Sequence, residues 1–336
     1  MELNTISLND FVKLANVIWL KAQDQVMQAA RNSGMFVIDT ISDGTGDTRQ
    51  YSEIDLQQYA KVKAEDDQAE RAKVQQGYTK TLTPYRVALD IGISYEMRTR
   101  NKYPEVMRRL TSLGSTPAAR MELDLSHRFT FGTALTYADQ DGRTVDVTTG
   151  DSLALFYSAH TIKGSSTTYR NRLAGNPRLS KGAIEGMERL IAEETINQFG
   201  EKMAMPFDIL WTTDDPNTIN TALEYLHSVA APDSANAGVT NTYKGKYKLV
   251  ILPLVATDKD GFVDATKRYY WGLASSKNTT AMLGIWEAPR LITPPTAGNN
   301  GENRSTDSWE FGTRAGYGIC IVNAQWIKFS SGDGVA

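Results

Sequence analysis

The sequence predicts an α+β fold, and three stretches of its 336 residues carry that prediction. Tyr85, Val87, Leu89, Ile91, Ile93 and Tyr95 alternate with small and polar residues. A period of two held that long means one extended strand with a single apolar face. From Pro104 to about Ala138 the pattern turns helical, with apolar residues on several faces, as in a helix buried between layers. From Leu179 onward short helical and extended stretches alternate with short connections. That describes a compact α+β or α/β unit of roughly a hundred residues.

Composition narrows the function classes. Hydrophobic residues make up 41% of the chain and aromatics 9%, enough for a substantial core. Charged residues are 22% and the formal net charge is −3, so there is no basic excess of the kind a nucleic-acid-coating protein needs. The single cysteine, Cys320, excludes an internal disulfide framework and a multi-cysteine zinc site. The first residues have neither the basic start nor the apolar run of a signal peptide. No segment approaches the ~18 apolar residues of a membrane span.

In chain order, Ser7 is placed to cap a first helix, with Asp10 at capping-box spacing. Leu8, Phe11, Ala15, Ile18, Ala22, Val26 and Ala29 trace one face of it, and Gly34 is placed to close it. Met35 to Thr40 reads as a short strand, and Ser42 to Asp47 as a turn-rich break. Tyr51 to Tyr59 is a second extended run. With the ladder at 85–95 and the polar stretch Lys61 to Gln76 between them, it suggests a long hairpin. An isolated hairpin is marginal in water, so this one needs another surface, which another subunit can provide.

Gly114 interrupts the long helical stretch, and Thr116 with Pro117 restarts it, giving one kinked helix or two in series. A short strand is predicted at Thr144 to Thr148, and Gly164 to Pro177 reads as a polar loop. Ser180 caps a helix to about Glu194, and Pro216 with Asn217 opens another to about Val229. Strands are predicted at Phe207 to Thr212, Lys248 to Leu252, Tyr269 to Leu273, Leu283 to Trp286, Ser308 to Thr313 and Tyr317 to Phe329.

Signals for chemistry are sparse. His127, His160 and His227 fall in separate segments without metal-ligand spacing, and Ser158 with His160 lacks the geometry of a triad. Asp43-Gly44-Thr45-Gly46-Asp47 leads into a hairpin rather than a helix, so it reads as a turn and not a phosphate loop. Asp258-Lys259-Asp260-Gly261 with Asp264 lacks the downstream glutamate of a calcium loop. Acidic pairs such as Glu193-Glu194 and Asp214-Asp215 carry no weight without a pocket. No catalytic, cofactor or metal site is predicted. The charge run Lys61, Lys63, Glu65, Asp66, Asp67, Glu70, Arg71 and Lys73 mixes both signs. It reads either as a solvated loop tip or as a tip that pairs with opposite charges on a neighbouring subunit.

The element order resembles the tailed-phage major capsid protein fold of the Hong Kong ninety-seven type. The local text is similar to the Mu-like major head subunit (gpT) family. The residues carrying this are Ala154-Leu155-Phe156-Tyr157-Ser158-Ala159-His160, Asn176-Pro177-Arg178-Leu179-Ser180, Phe207-Asp208-Ile209-Leu210, Lys248-Leu249-Val250-Ile251 and Arg314-Ala315-Gly316-Tyr317-Gly318.

The resemblance implies an N-arm (1–40), an E-loop (41–92), a P-domain with a spine helix (93–164), an A-domain (165–285) and returning strands (286–336). It implies hexamers and pentamers in an icosahedral shell around double-stranded DNA, with no enzymatic activity, no cofactor and no membrane association. It also implies assembly in a bacterial cytoplasm, a separate scaffolding protein, a portal, and in some members a decoration protein. An encapsulin-like compartment and a soluble enzyme with its site in 165–285 are the competing readings.

Overall fold

The computed structural model describes residues 8–41, 48–55, 75–100, 103–197, 199–230, 240–294, 302–303 and 307–334. Between 56 and 74 it describes 59, 60, 62, 63, 65, 66, 68, 69 and 71. The Ser7 cap, the Asp43–Asp47 turn and much of the charge run lie outside the described residues.

Helix α1 (Leu8–Asp24) packs Ala15, Ile18, Trp19 and Ala22 inward. It ends earlier than the periodicity predicts. The backbone then turns, and buried Glu122 accepts hydrogen bonds from the N–H groups of Ala30 and Arg31. Those donors would otherwise be orphaned in the interior. Gly34 does adopt a left-handed conformation, at φ 87°. Strand β1 (Val37–Thr40) follows as predicted.

The hairpin is not the one the pattern suggests. Its arms are β2 (Arg49–Asp55) and β3 (Gln75–Leu82), paired antiparallel from Arg49 opposite Leu82 to Asp55 opposite Gln75. The ladder forms β4 (Tyr85–Ser94) as a separate strand after Thr83-Pro84. Its partner is in the same chain, more than 200 residues away: Tyr85 faces Tyr317 and Ser94 faces Ser308.

After the short α2 (Tyr95–Thr99), α3 (Tyr103–Thr130) runs unbroken through Pro117. Proline cannot donate to the carbonyl four residues back, but the Thr116 hydroxyl donates to Leu113 O at 2.8 Å and fills the vacancy. Gly114 is no break either. A side chain there would lie 2.9 Å from Trp19 O and 2.8 Å from Ala22 Cβ, so glycine lets α1 cross closely. The predicted helical run to Ala138 ends at Thr130 because residues 136–138 form a strand.

Two small antiparallel pairs follow: β5 (Thr136–Ala138) with β6 (Thr144–Asp146), and β7 (His160–Thr161) with β8 (Thr168–Tyr169). The polar loop at 164–177 thus contains a strand. Helix α4 (Lys181–Glu194) is capped by Ser180 as predicted, and α5 (Pro216–His227) by Asp215. Between and after them come β9 (Ile209–Thr212), β10 (Lys248–Ile251), β11 (Trp271–Ala274), β12 (Ala281–Ile292) and β13 (Glu302–Asn303). The terminal strands divide differently from the prediction, into one long β14 (Ser308–Ile321) and a short β15 (Ile327–Ser330).

Two sheets organise the chain. In the first, β14 lies between β12 and β4, with β1 parallel beyond β12 and β13 against the start of β14. In the second, the order is β10-β9-β11-β15, with β9 and β10 parallel and the other pairs antiparallel. Both faces of the second sheet are buried. Leu210, Trp271 and Leu273 pack with α4 and α5. Trp211 and Phe329 pack on Phe129 of α3 and on Phe156, whose ring stacks on that of Phe329 at 4.1 Å.

Candidate assembly surface

The β2–β3 hairpin rests on the body of its own chain, through contacts that are mostly polar. Tyr51 Oη donates to Asp39 Oδ2 at 2.5 Å, and Arg49 lies 3.1 Å from the same carboxylate. Asn323 Nδ2 donates to Glu53 Oε1 at 2.6 Å, and Lys163 Nζ to Gly77 O at 3.2 Å. Lys80 Nζ reaches Asp146 Oδ2 at 2.6 Å and Thr148 Oγ1 at 2.7 Å. Tyr59 Oη donates to Lys202 O at 2.8 Å. Burial works to raise the Asp146 carboxyl, but hydrogen bonds from Lys80 and Thr148 outweigh it and hold the group below its ordinary range. The apolar part of the seat is small: Ile41, Leu82 and Cys320, flanked by Tyr51 and Met282. The same chain thus supplies the surface that the hairpin root requires. Under the root lies a polar cavity of about 320 Å³, lined by Glu53, Tyr78, Asp151, Lys163 and Asn323.

The junction of α3 with the first sheet is a buried charge network. Asp124 accepts from Tyr85 Oη at 2.7 Å, Tyr317 Oη at 2.5 Å and Arg120 Nε at 3.2 Å. Arg120 also pairs with Asp139 at 3.2 Å and Asp141 at 3.1 Å. Burial pushes both phenols up, and Asp124 adds to the shift. Here the first rung of the ladder, Tyr85, is fixed to the helix and to β14 together.

The charged tip is partly described. Lys63, Glu65, Asp66 and Arg71 are exposed, while Lys61, Asp67, Glu70 and Lys73 lie outside the described residues.

Two of the three histidines are structural, and His227 is exposed in the last turn of α5. His127 is buried against Phe131 and Tyr137, and burial lowers it to about 4. His160 is fully buried, with Nδ1 2.8 Å from Asp151 Oδ2 and Nε2 3.2 Å from Leu155 O, so neither ring nitrogen is open to a substrate. Its partner Asp151 carries no signal in the sequence, where the eight positions between them hold no motif. The Asp258 carboxylate is occupied by backbone N–H groups of its own turn. Among the described residues no cluster of three metal-ligating side chains occurs, and no helix is long and apolar enough to cross a membrane.

This α+β architecture is a fold shared with a solved phage capsid. The solved structure that carries the assignment is the capsid of the cyanophage P-SCSP1u, with a TM-score of 0.50 over 88% of this chain and 85% of that one, at 8% identity. The mature capsid of bacteriophage PhiM1 matches with TM-score 0.48, covering 88% and 85% at 10% identity. The virus-like particle from Pyrococcus furiosus matches with 0.47, covering 95% and 98% at 11% identity. The sequence matches no protein-family profile and no curated protein.

Proposed function

We propose that the chain is a major capsid protein that assembles, as hexamers and pentamers, into an icosahedral shell around phage double-stranded DNA. The observation that carries this reading is the fold shared with the cyanophage capsid over nearly the whole chain. On this reading the β2–β3 hairpin with its charged tip is the E-loop, α3 is the spine helix, and the sheet holding β9 to β11 with α4 and α5 belongs to the A-domain. The tip residues Lys63, Glu65, Asp66 and Arg71, with Lys61, Asp67, Glu70 and Lys73, reach charges on a neighbouring subunit. The Mu-like head-subunit branch is the family within this fold that the local sequence favours. The net charge of −3 suits a container filled by a motor, because a cationic lining would bind DNA tightly and in a salt-dependent way.

Such a shell forms in the host cytoplasm with a separate scaffolding protein and a portal, and the finished protein resides in the virion. Many modest interfaces acting together hold it. Electron microscopy of the full chain co-expressed with a scaffolding protein tests this: closed particles are expected, and a chain that stays monomeric contradicts it. Deleting 61–71 should leave the subunit folded and abolish closed particles. Normal shells from that variant would remove the tip from the inter-subunit contacts.

A further inference from the structure

We infer that the first sheet carries a phosphate-binding site on the face turned away from α3, built from Arg86, Arg290 and Arg314 around Glu287. Tyr85 and Tyr317 reach Asp124 of α3 from one face, so their strand neighbours Arg86 and Gly316 lie on the other. Glu287 Oε1 lies 2.7 Å from Arg290 Nε, 2.9 Å from Arg314 Nη2 and 3.0 Å from Arg314 Nε. Its Oε2 lies 3.7 Å from Arg86 Nε. Three strands thus meet at one carboxylate. The register places them there: Arg86 of β4 and Glu287 of β12 both sit opposite Gly316 of β14, and Arg290 sits opposite Arg314.

The backbone is shaped around this cluster. The pairing of β12 with β14 shifts register on both sides of Glu287, and such irregularities re-aim side chains. Trp286 and Glu287 are consecutive, and a regular strand would send them to opposite faces. Here both lie against Gly316, where a Cβ would come 2.6 Å from Trp286 Cε3 and 3.2 Å from Glu287 Cβ. The Arg86 guanidinium then lies over the Trp286 ring, 4.4 Å from its centroid. That contact orders a long side chain before any ligand arrives.

The charges do not balance. One guanidinium on Glu287 would tie the strands together, yet three converge on it, which leaves two positive charges in excess. Asp90 lies further along this face, over Gly312, and counting it still leaves an excess of one. The side chains of Arg86 and Arg290 are 54% and 57% accessible. Both meet Glu287 through Nε, so their terminal Nη donors remain for a ligand. Planar guanidinium forks match phosphate oxygens in pairs. A terminal phosphate group carries about −1.5 to −2 charge near pH 7 and three acceptor oxygens, which suits this excess. The site goes beyond the shell reading and does not depend on it.

Calorimetric titration of inorganic phosphate into the unassembled full chain, at constant ionic strength, tests the inference. A saturable heat is expected. Arg290→Gln and Arg314→Gln should each weaken binding about tenfold or more, because each removes charged donors. Arg86→Lys keeps the charge but loses the planar fork, and should weaken binding severalfold. Lys259→Gln removes the same charge from the exposed turn at 258–261 and should leave binding unchanged. A short DNA duplex of mixed sequence, added as competitor, separates two sources of the same chemistry. Displacement of phosphate assigns the site to nucleic-acid backbone phosphates, and binding indifferent to the duplex assigns it to free phosphate. The absence of a saturable heat overturns the proposal. So does a heat that survives both glutamine substitutions, or one that Lys259→Gln weakens equally. Because the titration precedes assembly, its failure leaves the shell reading standing, and a chain that binds phosphate but forms no particles fails only that reading.

Discussion

Lys328 offers the sharpest test of the folded interior. Its side chain is fully buried in β15, with Nζ 3.2 Å from Arg170 O and 5.8 Å from the Tyr169 ring. Burial pushes the amine down to about 7, against a weaker opposing pull from Glu194. An unfolded lysine titrates near ~10.4. Between those values the unfolded chain holds a proton that the folded chain lacks, so stability rises with pH across the window. Below about 7 the folded chain carries a buried ammonium and the full penalty, about 5 kcal/mol at ~1.4 kcal/mol per pH unit, of which about 4 kcal/mol is present at pH 7. Lys328→Met keeps the shape and removes the charge. It leaves Arg170 O without its donor, a loss of about 1–3 kcal/mol. The variant should therefore be more stable at pH 7 by about 1–3 kcal/mol. Urea unfolding at pH 7 and pH 9 reads both effects: the wild-type chain gains about 2 kcal/mol between them and the variant gains none. A variant less stable at pH 7, with the same pH slope as wild type, would refute the reasoning.

Three further outcomes are expected. The His127 ring is held neutral at about 4 against an ordinary 6.5, so stability should fall by about 3 kcal/mol as pH drops from about 6.5 to about 4. His127→Gln should flatten that fall in an acid-unfolding series. Thr116→Val removes the hydroxyl that serves Leu113 O opposite Pro117 and should lower the unfolding free energy by about 1–2 kcal/mol. Lys80→Met breaks the cationic tie between β3 and Asp146. Hydrogen exchange of the β2 and β3 amides should quicken about tenfold while α3 amides keep their protection.

The sequence disclosed what is local. The ladder at 85–95 announces β4 because period two is written in its own residues, and Ser180 announces α4 because a cap needs only the next turn. What it withheld is non-local. Nothing in residues 85–94 points to 308–317 as the partner, and nothing near Ala30 points to Glu122. The β3 strand was hidden because Thr79, Lys80 and Thr81 alternate weakly, and because a charged stretch leads into it. Gly114 and Pro117 read locally as a break, yet the close approach of α1 and one threonine hydroxyl make them part of a continuous helix. The candidate assembly surface was half legible: the charged tip stood out by composition. The seat of the hairpin was not, because Lys80 meets Asp146 and Asn323 meets Glu53 only once the chain has folded.

A cryo-electron microscopy reconstruction of particles assembled from the full chain tests the central claim most directly. The account predicts a closed icosahedral wall built from subunits of this fold, with each hairpin tip lying on a neighbouring copy. A preparation that yields only isolated subunits, or a particle whose wall is built by another protein, would contradict it.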